Sequence, residues 1–167
     1  MKISILLPYK ENFSPSYAGS VSLFLRDTIK LSRYKKDITV FGNTNYKKKL
    51  LKNYQNIFFS KFFFRSSTKV YIKKFLDFEK RKRSNLIEIH NRPEYIDYIY
   101  KINKNIILYF HNDPLSMRYS KKINERIDIL NKTKKIIFNS KWTKKQFTKD
   151  LPKSIYKNKL LIINQSA

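Results

Sequence analysis

Two histidines, an asparagine and a serine each follow a short apolar run of the sequence, where their side chains could bind a ligand or transfer protons. His90 stands in the segment IEIHNRP, His111 in LYFHNDP, and Asn139 and Ser140 in IFNSKW. Imidazole can act as acid, base or hydrogen-bonding group near neutral pH. The repeated placement of these polar residues predicts a single site, provided that the preceding runs are strands that end together.

The pattern of apolar residues predicts alternating strands and helices. Apolar runs rich in Ile, Val, Phe and Tyr suit strands that are buried on both faces of a parallel sheet. These runs are Ile3–Leu7, Ile38–Phe41, Asn56–Phe59, Leu86–Ile89, Ile106–Phe110, Ile136–Phe138 and Leu160–Ile163. Helical spacing marks Val21–Arg33, Val70–Arg83, Pro93–Ile102, Lys121–Leu130 and Ser140–Lys149, with Tyr46–Leu51 as a further candidate. The order predicts an α/β fold: a Rossmann-like parallel sheet with helices on both faces.

This fold predicts where a ligand would bind. In open α/β sheets, ligands bind beyond the carboxyl ends of the strands. We therefore expect His90, His111 and Ser140 at one edge of the sheet, together with the loop that leads to Gly19 and Ser20. Backbone N–H groups at the start of the helix after Gly19 could approach a phosphate. Each feature alone also suits a structural histidine or a helix cap, so their convergence is what favours a ligand site.

The composition narrows the classes of function. The chain has 37 basic and 12 acidic residues, a net charge of +25, which favours anionic partners: nucleic acid, anionic lipid or phosphorylated small molecules. A solvated lysine-rich surface is the alternative interpretation. The chain has no cysteine, so disulfides and thiolate metal sites are excluded. With two glycines in total, it contains neither a G-x-G-x-x-G nor a P-loop motif, which argues against a dinucleotide-binding oxidoreductase.

The sequence also suggests a location. We see neither a signal peptide nor an apolar run of about 20 residues, and we therefore expect a cytoplasmic protein. The segment Ile57–Arg65 combines phenylalanines with Lys61 and Arg65, a composition that suits an anionic membrane surface, where each cation contributes ~1 kcal/mol. Peripheral association with the inner membrane face would leave at least two of Phe62, Phe63 and Phe64 exposed. A buried strand and loop, with these rings in the core, is the alternative.

In these motifs, the chain resembles the N-terminal domain of the family 4 glycosyltransferases, which have the two-domain GT-B fold. Such domains carry a glycine-rich loop after the first strand, then His-Asn-Arg-Pro, His-Asn-Asp-Pro and a strand leading to serine. The matching residues are Ala18-Gly19-Ser20, His90-Asn91-Arg92-Pro93, His111-Asn112-Asp113-Pro114 and Asn139-Ser140. The resemblance spans residues 1–167 as one acceptor-side domain. It is greatest to enzymes that build lipopolysaccharide or other surface polysaccharides.

The resemblance implies retaining transfer of a sugar from a nucleotide-sugar to a glycan or lipid-linked acceptor, without a metal or other cofactor. His111 would be the catalytic residue, bonding the transferred sugar. Gly19, Ser20, His90, Asn91, Arg92, Asn112, Asp113 and Ser140 would bind substrate. We expect the C-terminal, donor-binding domain to lie outside this chain, acting in cis or in trans. The alternative is a basic α/β domain that binds nucleic acid or a membrane surface without catalysis; nucleic acid is the less favoured partner, because no nucleic-acid-binding motif is present.

Two departures from the family pattern weaken parts of this assignment. The loop reads Ala18-Gly19-Ser20 where the family has adjacent glycines, so a close approach to phosphate depends on Gly19 alone. The last apolar run is followed by Asn164-Gln165, where family members usually have Asn-Gly before their second domain.

Overall fold

The computed structural model describes residues 1–58 and 66–164 of the chain. Backbone contacts divide the chain into a first unit, Met1–Asn85, and a second unit that begins at Leu86. Each unit alternates strands with helices, and we describe each by itself.

In the described residues of the first unit, three parallel strands lie in the order β3-β2-β1. Its elements are β1 (Ile3–Leu6), α1 (Ser20–Leu31), β2 (Ile38–Gly42), β3 (Tyr54–Asn56) and α2 (Ser67–Lys82). The register aligns Ile5 with Val40, and both side chains are buried. Phe41 packs edge-on against Phe75 of α2, with ring centroids 5.2 Å apart, so the helix covers the sheet through its apolar positions.

Two expectations for this unit differ from the structure. The third strand was expected at Asn56–Phe59 but runs from Tyr54 to Asn56. The Tyr54 ring explains the earlier start, because it stacks on Phe13 at 5.1 Å and fixes the strand by a contact that the apolar pattern does not reveal. The candidate helix Tyr46–Leu51 is also wrong, since the backbone there forms bends.

A buried carboxylate joins β1 to the end of α2. Glu79, which is 3% exposed, accepts hydrogen bonds from the hydroxyls of Ser4 and Ser84 and from the Ser84 amide at 3.2 Å. All three hydrogen-bond donors are neutral, and the ammonium group of Lys82 also interacts electrostatically with the carboxylate. We call this set the Glu79 cluster.

Between residues 86 and 164, the second unit contains four parallel strands in the order β4-β5-β6-β7. The strands are β4 (Leu86–His90), β5 (Ile106–Phe110), β6 (Lys135–Phe138) and β7 (Leu160–Ile162), and the helices are α3 (Ile96–Ile99), α4 (Ile123–Lys132) and α5 (Lys141–Thr148). Short 3₁₀ helices span Pro93–Tyr95, Pro114–Ser116 and Lys153–Ile155. Phe110, Phe138 and Phe147 form a buried aromatic cluster, with centroids 5.5–5.7 Å apart.

One predicted helix of this unit is shorter than expected. The helix expected at Pro93–Ile102 consists of the 3₁₀ turn at Pro93–Tyr95 and the single α turn of α3. The Ile102 amide bonds to the Ile99 carbonyl three residues back, which tightens the last turn out of α geometry. Asn103 then accepts the Asn105 amide at 2.8 Å, a local turn that competes with further helix.

Parallel strands joined by helical connections confirm the predicted Rossmann-like α/β class. Among the residues that the structure describes, no helix combines the length and apolarity needed to cross a bilayer. Most of the segment expected at a membrane surface, residues 59–65, lies outside the described residues. Of its first two residues, Ile57 is buried and Phe58 is 67% exposed.

Candidate functional site

The second unit brings His90, His111 and Asn139 together at the carboxyl ends of three neighbouring strands. β4, β5 and β6 lie side by side in the sheet. Their register pairs His90 with Tyr109 and Phe110 with Phe138. Each polar residue therefore stands at the end of its strand, beside the end of the next.

The two imidazole rings are hydrogen-bonded to each other. His90 Nδ1 lies 2.7 Å from His111 Nε2, and the ring centroids are 5.0 Å apart. The other nitrogen of His90, Nε2, lies 2.7 Å from Glu88 Oε1. His90 has no exposed surface, whereas His111 is 8% exposed. Of the two histidines, a ligand at this strand end would therefore reach His111 rather than His90.

Sequence reasoning missed Glu88. It lies two residues before His90 on β4, and alternate residues of a strand project on the same face. A carboxylate within an otherwise apolar strand, two positions from a histidine, was a signal that could have identified it. Its side chain is 20% exposed, so it is partly screened by water.

Tyr109 forms the base of the imidazole pair. Its ring stacks on His111, with centroids 4.2 Å apart and planes 13° from parallel, and on His90 at 5.4 Å. The hydroxyl donates to the Ile163 carbonyl at 3.1 Å. Burial, together with the negative charge of Glu88, raises the pKa of Tyr109 to about 12. The residue is therefore a neutral, rigid support across the physiological pH range.

Asn91 ties the loop after β4 to the loop after β5. Its backbone amide donates to the Tyr109 carbonyl at 2.9 Å. Its side-chain oxygen accepts a hydrogen bond from the backbone amide of His111 at 2.7 Å. Its φ of 50° lies in the left-handed region, which asparagine tolerates better than most residues. Asn91 therefore positions the backbone of His111, and it is 5% exposed itself.

Asn139 and Ser140 connect the end of β6 to α5. Asn139 donates from Nδ2 to the His111 carbonyl at 2.7 Å, and its Oδ1 accepts from the Thr143 hydroxyl at 2.6 Å. Ser140 caps α5, because its hydroxyl accepts the Thr143 amide at 3.1 Å. The Ser140 and Thr143 hydroxyls also lie 2.8 Å apart. The structure thus gives Ser140 a helix-capping role and Asn139 a contact with the His111 backbone.

The three remaining predicted substrate-binding residues of the two His-Asn motifs lie in the loops after β4 and β5. Arg92 donates to the Asn91 carbonyl at 2.7 Å, and its Nε lies 3.9 Å from the Glu94 carboxylate. Asp113 accepts the Leu115 amide at 2.9 Å and so caps the 3₁₀ helix that begins at Pro114. Asn112 is exposed.

The predicted phosphate loop lies in the first unit. Gly19 adopts an extended conformation (φ −76°), which any residue can take, so its role is to leave space rather than to provide unusual backbone geometry. A Cβ on Gly19 would lie 2.8 Å from Cδ of Glu11. Glu11 accepts the Ser22 amide at 3.1 Å, and Ser20 is the exposed first residue of α1. A phosphate at this helix terminus would have to displace a carboxylate that already accepts one of its N–H groups.

Chemically, the second unit offers an acid–base pair backed by a carboxylate. Glu88 and two imidazoles can hold or move a proton. Within residues 1–58 and 66–164, no three His, Asp or Glu side chains are grouped to hold a metal ion. The direct contact between the two imidazoles leaves no room for an ion between their facing nitrogens.

Comparison with models of known protein families produced no match. A search of characterised proteins likewise produced no significant match. A functional proposal therefore rests on the geometry of the strand ends and on the motifs whose residues lie there.

Proposed function

We propose that this chain is the acceptor-side domain of a retaining glycosyltransferase that builds lipopolysaccharide or another surface polysaccharide. The observation that carries the proposal is the pair His90–His111 at the ends of β4 and β5, hydrogen-bonded at 2.7 Å and formed by the two His-Asn motifs. Carboxyl ends of parallel strands are the usual ligand-binding edge of such sheets. A site of imidazole, amide and carboxylate groups suits the hydroxyls of a sugar.

In this proposal, the donor is a nucleotide-sugar and the acceptor is a glycan or a lipid-linked glycan. His111 bonds the transferred sugar, and the loop around Asn112 and Asp113 contributes polar contacts to substrate. A C-terminal domain, in cis or in trans, binds most of the donor, and the diphosphate leaves with its charge stabilised by hydrogen-bond donors. No metal or other cofactor is required.

The proposal predicts that the 167-residue chain alone transfers no sugar. Transition-state stabilisation depends on contacts to both donor and acceptor, and one side of the cleft supplies only part of them. The check is a turnover assay of the pure chain with uridine- and guanosine-diphosphate sugars. Measurable transfer by the chain alone would contradict the requirement for a second domain that binds the donor.

A direct test of the site uses the two histidines as spectroscopic probes. With only His90 and His111 in the chain, a ¹⁵N-histidine spectrum reports on this site alone. We expect bacterial core oligosaccharides to shift the His111 signals in a saturable way. The matched control is Asp128→Asn, a half-exposed carboxylate on α4, which should leave this response unchanged.

The net charge of +25 favours the second candidate, binding of an anionic surface without catalysis. Anionic vesicles and an oligonucleotide are therefore included in the same titration. If they shift the histidine signals and oligosaccharides do not, the glycosyltransferase proposal fails. If anionic vesicles bind without shifting these signals, and neutral vesicles do not bind, the membrane surface lies elsewhere on the domain.

A further inference from the structure

Three titratable side chains of the second unit form a continuous hydrogen-bonded chain: Glu88, His90 and His111. The two links are both 2.7 Å, from Glu88 Oε1 to His90 Nε2 and from His90 Nδ1 to His111 Nε2. We call these residues the Glu88 relay. The middle ring has no exposed surface, so any proton that it gains or loses must pass through a neighbour.

We infer that the Glu88 relay is a proton-storing device, in which Glu88 is a positioning residue that fixes the tautomers of both histidines. A proton that arrives at His111 is thereby stored as positive charge on the buried ring of His90. The inference rests on the proposed function and extends it, because it states which protonated form of His111 a sugar hydroxyl would meet. Its central test needs no substrate, so it can fail independently of that function.

The tautomers follow from the hydrogen-bonding capacity of each group. A carboxylate only accepts, so the Glu88 contact requires a hydrogen on His90 Nε2. A neutral imidazole carries one hydrogen, which makes His90 Nδ1 an acceptor. His111 Nε2 must then donate to it. In the neutral relay, both rings therefore carry their hydrogen on Nε2, and the basic nitrogen of His111 is Nδ1.

Uptake of one proton rearranges the relay without moving a heavy atom. The proton binds His111 Nδ1, and the hydrogen of His111 Nε2 passes along the 2.7 Å contact to His90 Nδ1. His111 ends as a neutral ring with its hydrogen on Nδ1. His90 ends with two hydrogens and a positive charge beside the Glu88 carboxylate. The same steps in reverse return the proton to His111.

The contact with Glu88 favours positive charge on His90. Glu88 contacts His90, and a carboxylate at hydrogen-bonding distance stabilises imidazolium. From β5, Tyr109 stacks on both rings, and its raised pKa keeps it neutral. After β4, Arg92 is paired with Glu94 at 3.9 Å and also donates a hydrogen bond to the Asn91 carbonyl.

The test is ¹⁵N-histidine NMR of the whole chain as a function of pH, in which protonated and bare ring nitrogens have separate shifts. Near pH 8 we expect both rings as Nε2–H tautomers. On acidification, His90 should gain its second hydrogen first, and His111 should change at the same pH from the Nε2–H to the Nδ1–H form. A titration in which His111 becomes doubly protonated first, or in which either ring starts as Nδ1–H, overturns the inference.

Variants distinguish a positioning role of Glu88 from a general effect of its negative charge. Glu88→Gln can donate as well as accept, so His90 should become a mixture of tautomers and the coupled switch of His111 should disappear. Glu88→Asp retains a carboxylate and should restore the Nε2–H form at least in part. Asp128→Asn removes an equal charge from the second unit and should preserve the wild-type pattern. An unchanged pattern in Glu88→Gln contradicts the role of Glu88, and the wild-type titration decides the matter if a variant fails to fold.

Discussion

Glu79 in the first unit and Glu88 in the second both accept hydrogen bonds from buried residues, yet their partners differ in kind. Glu79 is bound by two serine hydroxyls and one amide, none of which titrates near neutral pH. Glu88 is bound to an imidazole, a group that can both take up and release a proton. Neutral donors turn a buried carboxylate into a structural anchor, whereas a titratable partner makes it part of a proton-transfer path. The hydrogen-bond partner of a carboxylate, rather than its burial, therefore indicates whether a structural or a proton-transferring role is to be expected.

The largest change in stability is expected when the Glu79 cluster is removed. Glu79→Ala leaves the Ser84 amide and two hydroxyls without their shared acceptor, and should lower the free energy of unfolding by about 3 kcal/mol. Denaturant unfolding measures the change. The control is Asp77→Ala on the same helix, which removes a half-exposed carboxylate paired with Lys80 at 3.8 Å and should cost under about 0.5 kcal/mol. Equal losses in both variants would show that the cluster is not an anchor.

Glu88→Ala should have a smaller effect on stability. It removes one hydrogen-bond partner from the buried His90, with an expected loss of about 2 kcal/mol in the free energy of unfolding. Water can reach the partly exposed site of the carboxylate and recover some of this energy. Chemical denaturation of Glu79→Ala and Glu88→Ala in parallel ranks the two. A larger loss of unfolding free energy for Glu88→Ala than for Glu79→Ala would contradict the assignment of Glu79, rather than Glu88, as the structural anchor.

Tyr109→Phe should cost about 1 kcal/mol near neutral pH, because it removes the hydrogen bond to the Ile163 carbonyl. The fold raises the pKa of Tyr109 from 10.0 to about 12 by burial and the charge of Glu88. The neutral hydroxyl is therefore favoured in the folded state, and its contribution to stability is complete below pH 10 and is lost as the pH rises toward 12. Unfolding measured from pH 8 to pH 11 should show a shallower decline for Tyr109→Phe than for wild type. Identical slopes would mean that Tyr109 is not buried as described.

Gly19→Ala should have the smallest effect of the four. The new methyl group displaces the flexible end of Glu11, and the Ser22 amide loses that partner. We expect a loss of about 0.5 kcal/mol in the free energy of unfolding, typical of a helix-terminal contact. Glu11→Ala serves as the matched variant, and combining it with Gly19→Ala should add nothing further. Additive losses would show that the space around Gly19 has another use.

The sequence was most informative where local pattern and chain direction decide the structure. Apolar runs identified the strands, and their direction placed His90 and His111 at neighbouring strand ends. Side-chain pairing was harder to predict, since it depends on register. The contact of Glu11 with the Ser22 amide joins residues whose partnership no motif encodes, whereas Glu88 lies two residues from His90 on one strand and was overlooked. The shift of the third strand has the same origin, because the Tyr54–Phe13 stack is a tertiary contact.

The backbone of Asn91 also determines which substitutions its position can accept. The residue must adopt positive φ and, at the same time, accept the His111 amide through its side chain. Glycine meets the first condition and fails the second, aspartate meets both but adds a negative charge next to the imidazoles, and a β-branched residue meets neither. In a saturation library screened for the wild-type histidine spectrum, asparagine should therefore be the residue recovered most often at this position. The ends of β4 and β5 thus contain a site where mutational tolerance falls nearly to a single amino acid, without that residue having to touch a ligand.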